Sequence, residues 1–182
     1  FEPHDALAPA ATVAGGIRGA EGNLEITVLA PPQLAATAQQ TPTLFWHASG
    51  PINDPVELVL VEEGGIEPLV ELLVQPPLEA GLHRFEIPPE TELQPGGFYQ
   101  WSVSVIPDPD ARSNDIFSSA LLQHVASPAP RDASVGISAA RELARAGLWY
   151  DTLMALRGAI DDPEAAQLWR ELMEQSGLDA VL

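Results

Sequence analysis

Residues 93–105 constrain this chain more than any other stretch. They read Leu-Gln-Pro-Gly-Gly-Phe-Tyr-Gln-Trp-Ser-Val-Ser-Val. Pro95, Gly96 and Gly97 make a turn, since proline presets one backbone angle and glycine accepts left-handed ones. After it, Tyr99, Trp101, Val103 and Val105 alternate with Gln100, Ser102 and Ser104. A period of two puts the first set on one face of a strand and the second on the other. One face is therefore buried and the other wet, and the rest of the chain must supply the cover for the apolar face.

The same alternation recurs on both sides of this segment. Leu24, Ile26 and Val28 against Glu25 and Thr27 predict a strand that Pro31-Pro32 ends, because proline cannot donate to a ladder. Residues 35–40 read as a polar bridge of small residues. Residues 43–48 read as a strand with Leu44, Trp46 and Ala48 on one side and Phe45 and His47 on the other. Residues 56–62 are nearly continuously apolar, as near the centre of a sandwich, and Glu63-Gly64-Gly65 is a hairpin signal before a strand at 69–74. His83, Phe85 and Ile87 mark a fifth strand, the Tyr99 segment is the sixth, and residues 116–125 are the seventh. Seven short strands with turn signals every 8–12 residues or so predict an antiparallel β-sandwich. The tight turn feeding Tyr99 resembles the tyrosine corner of immunoglobulin and fibronectin type III sandwiches. Such a fold carries no chemistry of its own.

After Ser127-Pro128-Ala129-Pro130 the period changes. Val135, Ala139, Ala140, Leu143 and Ala144 recur at helical spacing, and Gly147 ends that helix. Trp149, Leu153, Leu156 and Ile160 form the stripe of a second helix. Asp162 is a ready N-cap and Pro163 a first-turn proline for a third, which buries Ala165, Leu168, Trp169, Leu172 and Met173 and stops at Gly177. Leu178 is placed for the hydrophobic contact of a Schellman ending. Helices this short rarely stand alone. The expected organisation is an extended arm over 1–22, a sandwich over 23–126, and a helical segment over 127–182 packed on the sandwich.

Composition narrows the function. With 46% hydrophobic residues among 182, the chain is globular, and without cysteine it has no disulfide scaffold and no thiolate site. Its formal charge is -18, and all of its basic residues are arginine. Such a chain repels phosphate backbones and anionic lipid, which argues against nucleic-acid partners and anionic membrane surfaces. Two explanations of the missing lysine stand side by side: GC-rich coding, and adaptation to high salt. The second predicts stability that rises steeply from dilute to molar salt, and a flat response would exclude it. No apolar run approaches the roughly 20 residues of a membrane span. The first residue is Phe1. The expectation is an extracytoplasmic protein, periplasmic or secreted, whose signal has been removed.

Several constellations are candidates for sites. Trp46, Tyr99 and Trp101 could line a sugar platform, but their alternation points them into the core. Phe45 and His47, on the opposite face of their strand, are better candidates for an exposed contact. His47, His83 and His124 lie on predicted strands without a close-spaced ligand pair, which favours scattered histidines over zinc. Asp108, Asp110 and Asp115, with Asn114, offer oxygens of the kind calcium takes, but the glycine and glutamate of an EF-hand loop are missing. Asx turns and an Arg112–Asp115 pair account for the same residues. The adjacent carboxylates Glu62-Glu63 and Asp161-Asp162 diverge along the chain, where catalysis needs convergence. Tyr150 points about 100° away from Trp149 on the second helix. It either packs on the sandwich or, with Asp151, anchors a partner. No nucleophile elbow, phosphate loop, dinucleotide fingerprint or metalloprotease motif occurs, which argues against an enzyme and implies no cofactor.

The chain resembles a bacterial family, common in cyanobacteria, known as Domain of Unknown Function 928. The likeness is carried by Gly-Gly-Ile-Arg-Gly (15–19), Leu-Ala-Pro (29–31), Pro-Thr-Leu-Phe-Trp (42–46), the whole of 93–101, and Arg-Ser-Asn-Asp (112–115). It continues through Ala-Gly-Leu-Trp-Tyr-Asp-Thr-Leu (146–153) and Leu-Trp-Arg-Glu-Leu-Met-Glu-Gln-Ser-Gly-Leu (168–178), the two most specific stretches. Thr152 stands where the family pattern usually has Ala. The resemblance implies an exported protein and offers no catalytic residue. The tail also looks like one tetratricopeptide unit, with Gly147, Trp149, Leu156 and Ala159 near that spacing and Pro163 about one residue early. The leading expectation is a non-catalytic module that binds another protein through a sheet edge or the helical surface. The alternative is a carbohydrate- or small-ligand-binding sandwich, assisted by a cation at Asp108, Asp110 and Asp115.

Overall fold

A computed structural model describes residues 24–126 and 136–181 of the chain. The arm expected over 1–22, the linker at 127–130 and Val135 lie outside the described residues. The elements run β1 (Ile26–Val28), β2 (Ala35–Thr37), β3 (Thr43–Ala48), β4 (Val56–Glu62), β5 (Pro68–Val74), β6 (Gly81–Glu86), β7 (Phe98–Val105) and β8 (Ile116–His124). Three helices follow: α1 (Ile137–Arg145), α2 (Trp149–Arg157) and α3 (Pro163–Gln175).

The strands form two sheets, one of three strands in the order β1-β3-β6 and one of five in the order β2-β8-β7-β4-β5. The expected seven antiparallel strands are thus corrected in two respects. There are eight strands among the described residues, and β2 pairs with β8 in parallel, Ala35 beside Leu122 and Thr37 beside His124. Residues 35–37 show no apolar alternation because all three side chains are buried. A helix, α2, packs against this strand, and the alanines allow its close approach.

The alternating faces assemble as their periods require. Val103 lies opposite Leu58 and Ser118, and Trp101 lies opposite Leu60 and Ala120. Together with Tyr99 and Val105 these residues make the inner face of the large sheet. The small sheet contributes Ile26, Val28, Leu44, Trp46 and Phe85. The hydroxyl of Tyr99 accepts a hydrogen bond from the Gln94 amide at 2.8 Å, which locks the turn to the strand. A β-carbon on Gly97 would sit 2.5 Å from that hydroxyl and 2.9 Å from the Gln94 carbonyl, so only glycine fits there.

The helices end as their sequences direct. The Asp162 side chain accepts from the Glu164 amide at 2.8 Å, with Pro163 in the first turn. At the other end of α3, Gly177 is left-handed (φ 70°). There the Leu178 amide reaches the Met173 carbonyl and the Gly177 amide reaches that of Glu174, a Schellman ending over buried Leu178. Helix α2 lies at the centre of the tail. It packs on β2 and β3 on one side and on α1 and α3 on the other, so that nearly all its side chains are buried.

Candidate interaction surface

Three consecutive residues at the start of α2 tie the helices to the sandwich. Trp149 donates from Nε1 to the Leu29 carbonyl at 2.8 Å. The Tyr150 hydroxyl accepts from Trp101 Nε1 at 2.9 Å and donates to the Leu121 carbonyl at 3.2 Å. Asp151 Oδ2 accepts from the Ala38 amide, just past β2, at 3.1 Å. Successive helical side chains point about 100° apart, so one turn can grip the β1–β2 connection, the large sheet and the end of β2 at once. Burial pushes the Tyr150 phenol far above its ordinary range, opposed by the hydrogen bond from Trp101. Burial likewise raises the Asp151 carboxyl, opposed by hydrogen bonds from Thr37, the Ala38 amide and Gln39.

This geometry corrects the reading of Tyr150 and Asp151 as partner anchors. Both are buried, because α2 is enclosed by sheet on one side and by helices on the other. An apolar stripe implies a helix with one wet face, and on α2 only Met154 and Arg157 are exposed. Phe45 is corrected for a related reason. It does lie on the outer face of the small sheet, but Trp169 of α3 meets its ring edge-on at 6.2 Å and covers it.

His47 shares that outer face with Thr27 and Leu82 and stays half-buried. Partial burial lowers its pKa, helped by nearby His83 and opposed by Glu25. His83 is turned to the other face, where it stacks on Trp46 at 4.3 Å, and His124 belongs to the other sheet. The acidic loop folds on itself. The Asp110 amide donates to Asp108 Oδ1 at 2.9 Å, an Asx turn. Arg112 pairs with Asp115 at 2.7 Å and also reaches across to Glu57 on β4 at 2.6 Å. Among the described residues no group of three His, Cys, Asp or Glu side chains is placed to hold a metal ion, and Asp108, Asp110 and Asp115 form no such group. Of the three aspartates, Arg112 neutralises Asp115.

Among the described residues the tryptophans and tyrosines offer no sugar platform, for Trp46, Tyr99, Trp101, Trp149, Tyr150 and Trp169 are all buried, as is Phe45. A shallow groove of about 130 Å³ runs between α1 and α3 over Thr152 and Leu156 of α2, with Arg141 and Glu171 among its lining. That is small beside ligand pockets of roughly 300–1,000 Å³.

Four of the six large exposed apolar side chains among the described residues gather instead on one strand, Leu82 of β6 and Met154 of α2 being the other two. Ile66 is 97% exposed, Leu69 and Leu72 45%, and Leu73 52%. All lie on β5 or the turn leading into it. The cause is a mismatch in width, for five strands face three. At one margin of the large sheet α2 covers β2, whereas at the other β5 overhangs the small sheet. Leu72, which faces inward beside Leu58, is therefore exposed as well as Leu73, which faces outward beside Glu57. Among the described residues no strand pairs with the free side of β5. Glu62, Glu63, Glu67 and Glu71 surround it, all exposed, and no basic residue lies between 52 and 83. Exposed leucines on an open sheet edge are a template for another chain. Their exposure is not legible in the sequence, since residues 69–74 read equally well as a covered strand.

No helix among the described residues is long and apolar enough to cross a membrane. The molecule is thus a β-rich protein of two facing sheets whose three C-terminal helices are tied down by Trp149, Tyr150 and Asp151. The family model for Domain of Unknown Function (DUF928) matches residues 13–182, and the chain belongs to that family. No curated protein matches it.

Proposed function

We propose that this chain is a non-catalytic, extracytoplasmic protein-interaction module. Its body is a fibronectin type III-like sandwich carrying a tetratricopeptide-like helical tail, and it binds a protein partner through the β5 edge. One observation carries the binding reading: the open edge strand exposes Leu69, Leu72 and Leu73, where isolated soluble proteins usually blunt or cover an edge. The hydrogen bond from the Gln94 amide to the Tyr99 hydroxyl supports the sandwich assignment. Three of the four perturbed titratable groups serve structural contacts, Tyr150 and Asp151 between helix and sheet and Arg112 with Asp115 and Glu57, which supports a reading without chemistry; His47 is the fourth. Of the two surfaces weighed from sequence, the sheet edge is favoured over the helices, whose most distinctive residues face inward.

The test uses the intact chain with a photo-crosslinking residue at position 73, in extract of the source organism at its native salt. A defined protein adduct that disappears with Leu72→Arg supports the reading. Adducts indifferent to Leu72→Arg, or none, would refute it.

A further inference from the structure

We infer that the partner docks on β5 as an added strand, and that it is an extended segment of alternating apolar and basic residues. This rests on the reading of β5 as the binding edge and specifies its occupant. The argument starts from the backbone. Over residues 70–74 β5 pairs regularly with β4, Val70 with Leu60 through Val74 with Val56, and the register shifts only beyond Leu60. Five consecutive residues therefore present a straight free edge, whose outward amides and carbonyls can form a further ladder.

The side chains define the occupant. Val70, Leu72 and Val74 face inward; Val70 is buried and Val74 half-buried, whereas Leu72 between them is 45% exposed. A neighbouring strand would place every second side chain beside this row, where apolar residues remove Leu72 from water. Its other side chains would fall beside Glu71 and Leu73 on the outer face, on the strand that the exposed Glu62, Glu63 and Glu67 of the hairpin lead into, while Glu57 beside Leu73 is already paired with Arg112. Basic residues meet that field, and acidic ones are repelled. The alternation of the partner thus follows from the two faces of β5.

Charge also selects against a second copy of this chain. Antiparallel pairing of β5 with its own equivalent about a two-fold at Glu71 puts the two Glu71 side chains opposite each other on one face, and a shift by two residues leaves them diagonal neighbours on that face. Each copy carries a formal charge of -18, which adds repulsion.

The test measures binding of labelled synthetic heptapeptides to the intact chain by fluorescence anisotropy. One peptide alternates valine and arginine, a second alternates valine and glutamate, and two more carry methylated backbone nitrogens on either the odd or the even residues of the first. At about 0.1 M salt the arginine peptide should bind at least about tenfold more tightly than the glutamate peptide, and the gap should close near 1 M. Glu71→Gln should weaken the arginine peptide and leave the glutamate peptide unimproved or slightly better. Only one of the two methylation phases should abolish binding, because only alternate amides of an added strand face β5. Equal affinity for both charges, equal binding of both methylated forms, or no binding of any peptide would overturn the inference. So would a β5-dependent dimer in sedimentation. A Leu72-dependent protein adduct obtained beside any of these results would leave the interaction reading standing and remove only the strand-addition occupant.

Discussion

Tyr150→Phe isolates the polar half of the contact between helices and sandwich. The substitution keeps the ring, and with it the edge-on packing on Trp101 at a centroid distance of 6.4 Å. What it removes is one oxygen that serves two partners. Trp101 is fully buried, so its Nε1 hydrogen loses an acceptor with no water to replace it. An orphaned buried donor costs about 1–3 kcal/mol. The Leu121 carbonyl also loses a donor, at the longer distance of 3.2 Å, which keeps the sum near the upper half of that range. For a chain of this length each kcal/mol lowers the melting temperature by about 2–4 °C, so the variant should melt roughly 4–12 °C below wild type. The assay is thermal unfolding followed in parallel by far-ultraviolet and near-ultraviolet circular dichroism. The two signals should fall together, since the lost bond joins a helix to the core of the large sheet. A melting temperature within about 1 °C of wild type would refute the account of Tyr150 as a docking residue. A loss confined to the helical signal would refute the claim that helices and sandwich unfold as one unit.

Trp149→Ala should cost about 3–5 kcal/mol by emptying a fully buried site, and it removes the hydrogen bond to Leu29 as well; urea titrations of the helical and sandwich signals should shift together. An unchanged sandwich transition would contradict the packing of α2. Gly97→Ala drives a β-carbon against the buried Tyr99 ring and the Gln94 carbonyl, and a loss of about 1–3 kcal/mol in chemical denaturation is expected; no loss would mean that the turn has room to yield. Asp151 gives a signed pH effect. Its carboxyl is raised in the folded chain, so the folded state holds the proton more tightly than the unfolded state. The resulting stabilisation is full below the unfolded value of about 3.9 and is lost as pH rises through the folded value. In denaturation series at several pH values, wild type minus Asp151→Asn should therefore decrease upward from about pH 4. A difference that is flat or rises with pH would exclude a raised carboxyl.

Much of the architecture was legible because local rules agreed with the global result. The Tyr99 strand alternates and is buried on the side its period indicates, and the Asp162-Pro163 start and Gly177 stop of α3 are where their chemistry puts them. Strand β2 was not legible, because three small residues buried on every side have no period to read. The site was legible in part. His47 stands on the outer face as the alternation indicates, but that face is not free, since α3 arrives from more than a hundred residues away to place Trp169 over Phe45. The same holds for Tyr150 and Asp151. Their angle on the helix can be computed from the sequence, but what stands at that angle cannot.

The sequence by itself determined the elements and most of their ends, the buried faces of the strands, the acidic field, and the family to which the chain belongs. These follow from periodicity, turn and cap chemistry and charge, which act over a few residues or over the whole chain. The tertiary structure decided which surfaces remain uncovered. It set five strands against three, laid α2 over one margin and left β5 bare at the other. Exposure depends on what packs from elsewhere in the chain. A leucine such as Leu72 therefore reads as core in the sequence, and becomes a binding candidate only when the opposite sheet ends before reaching it.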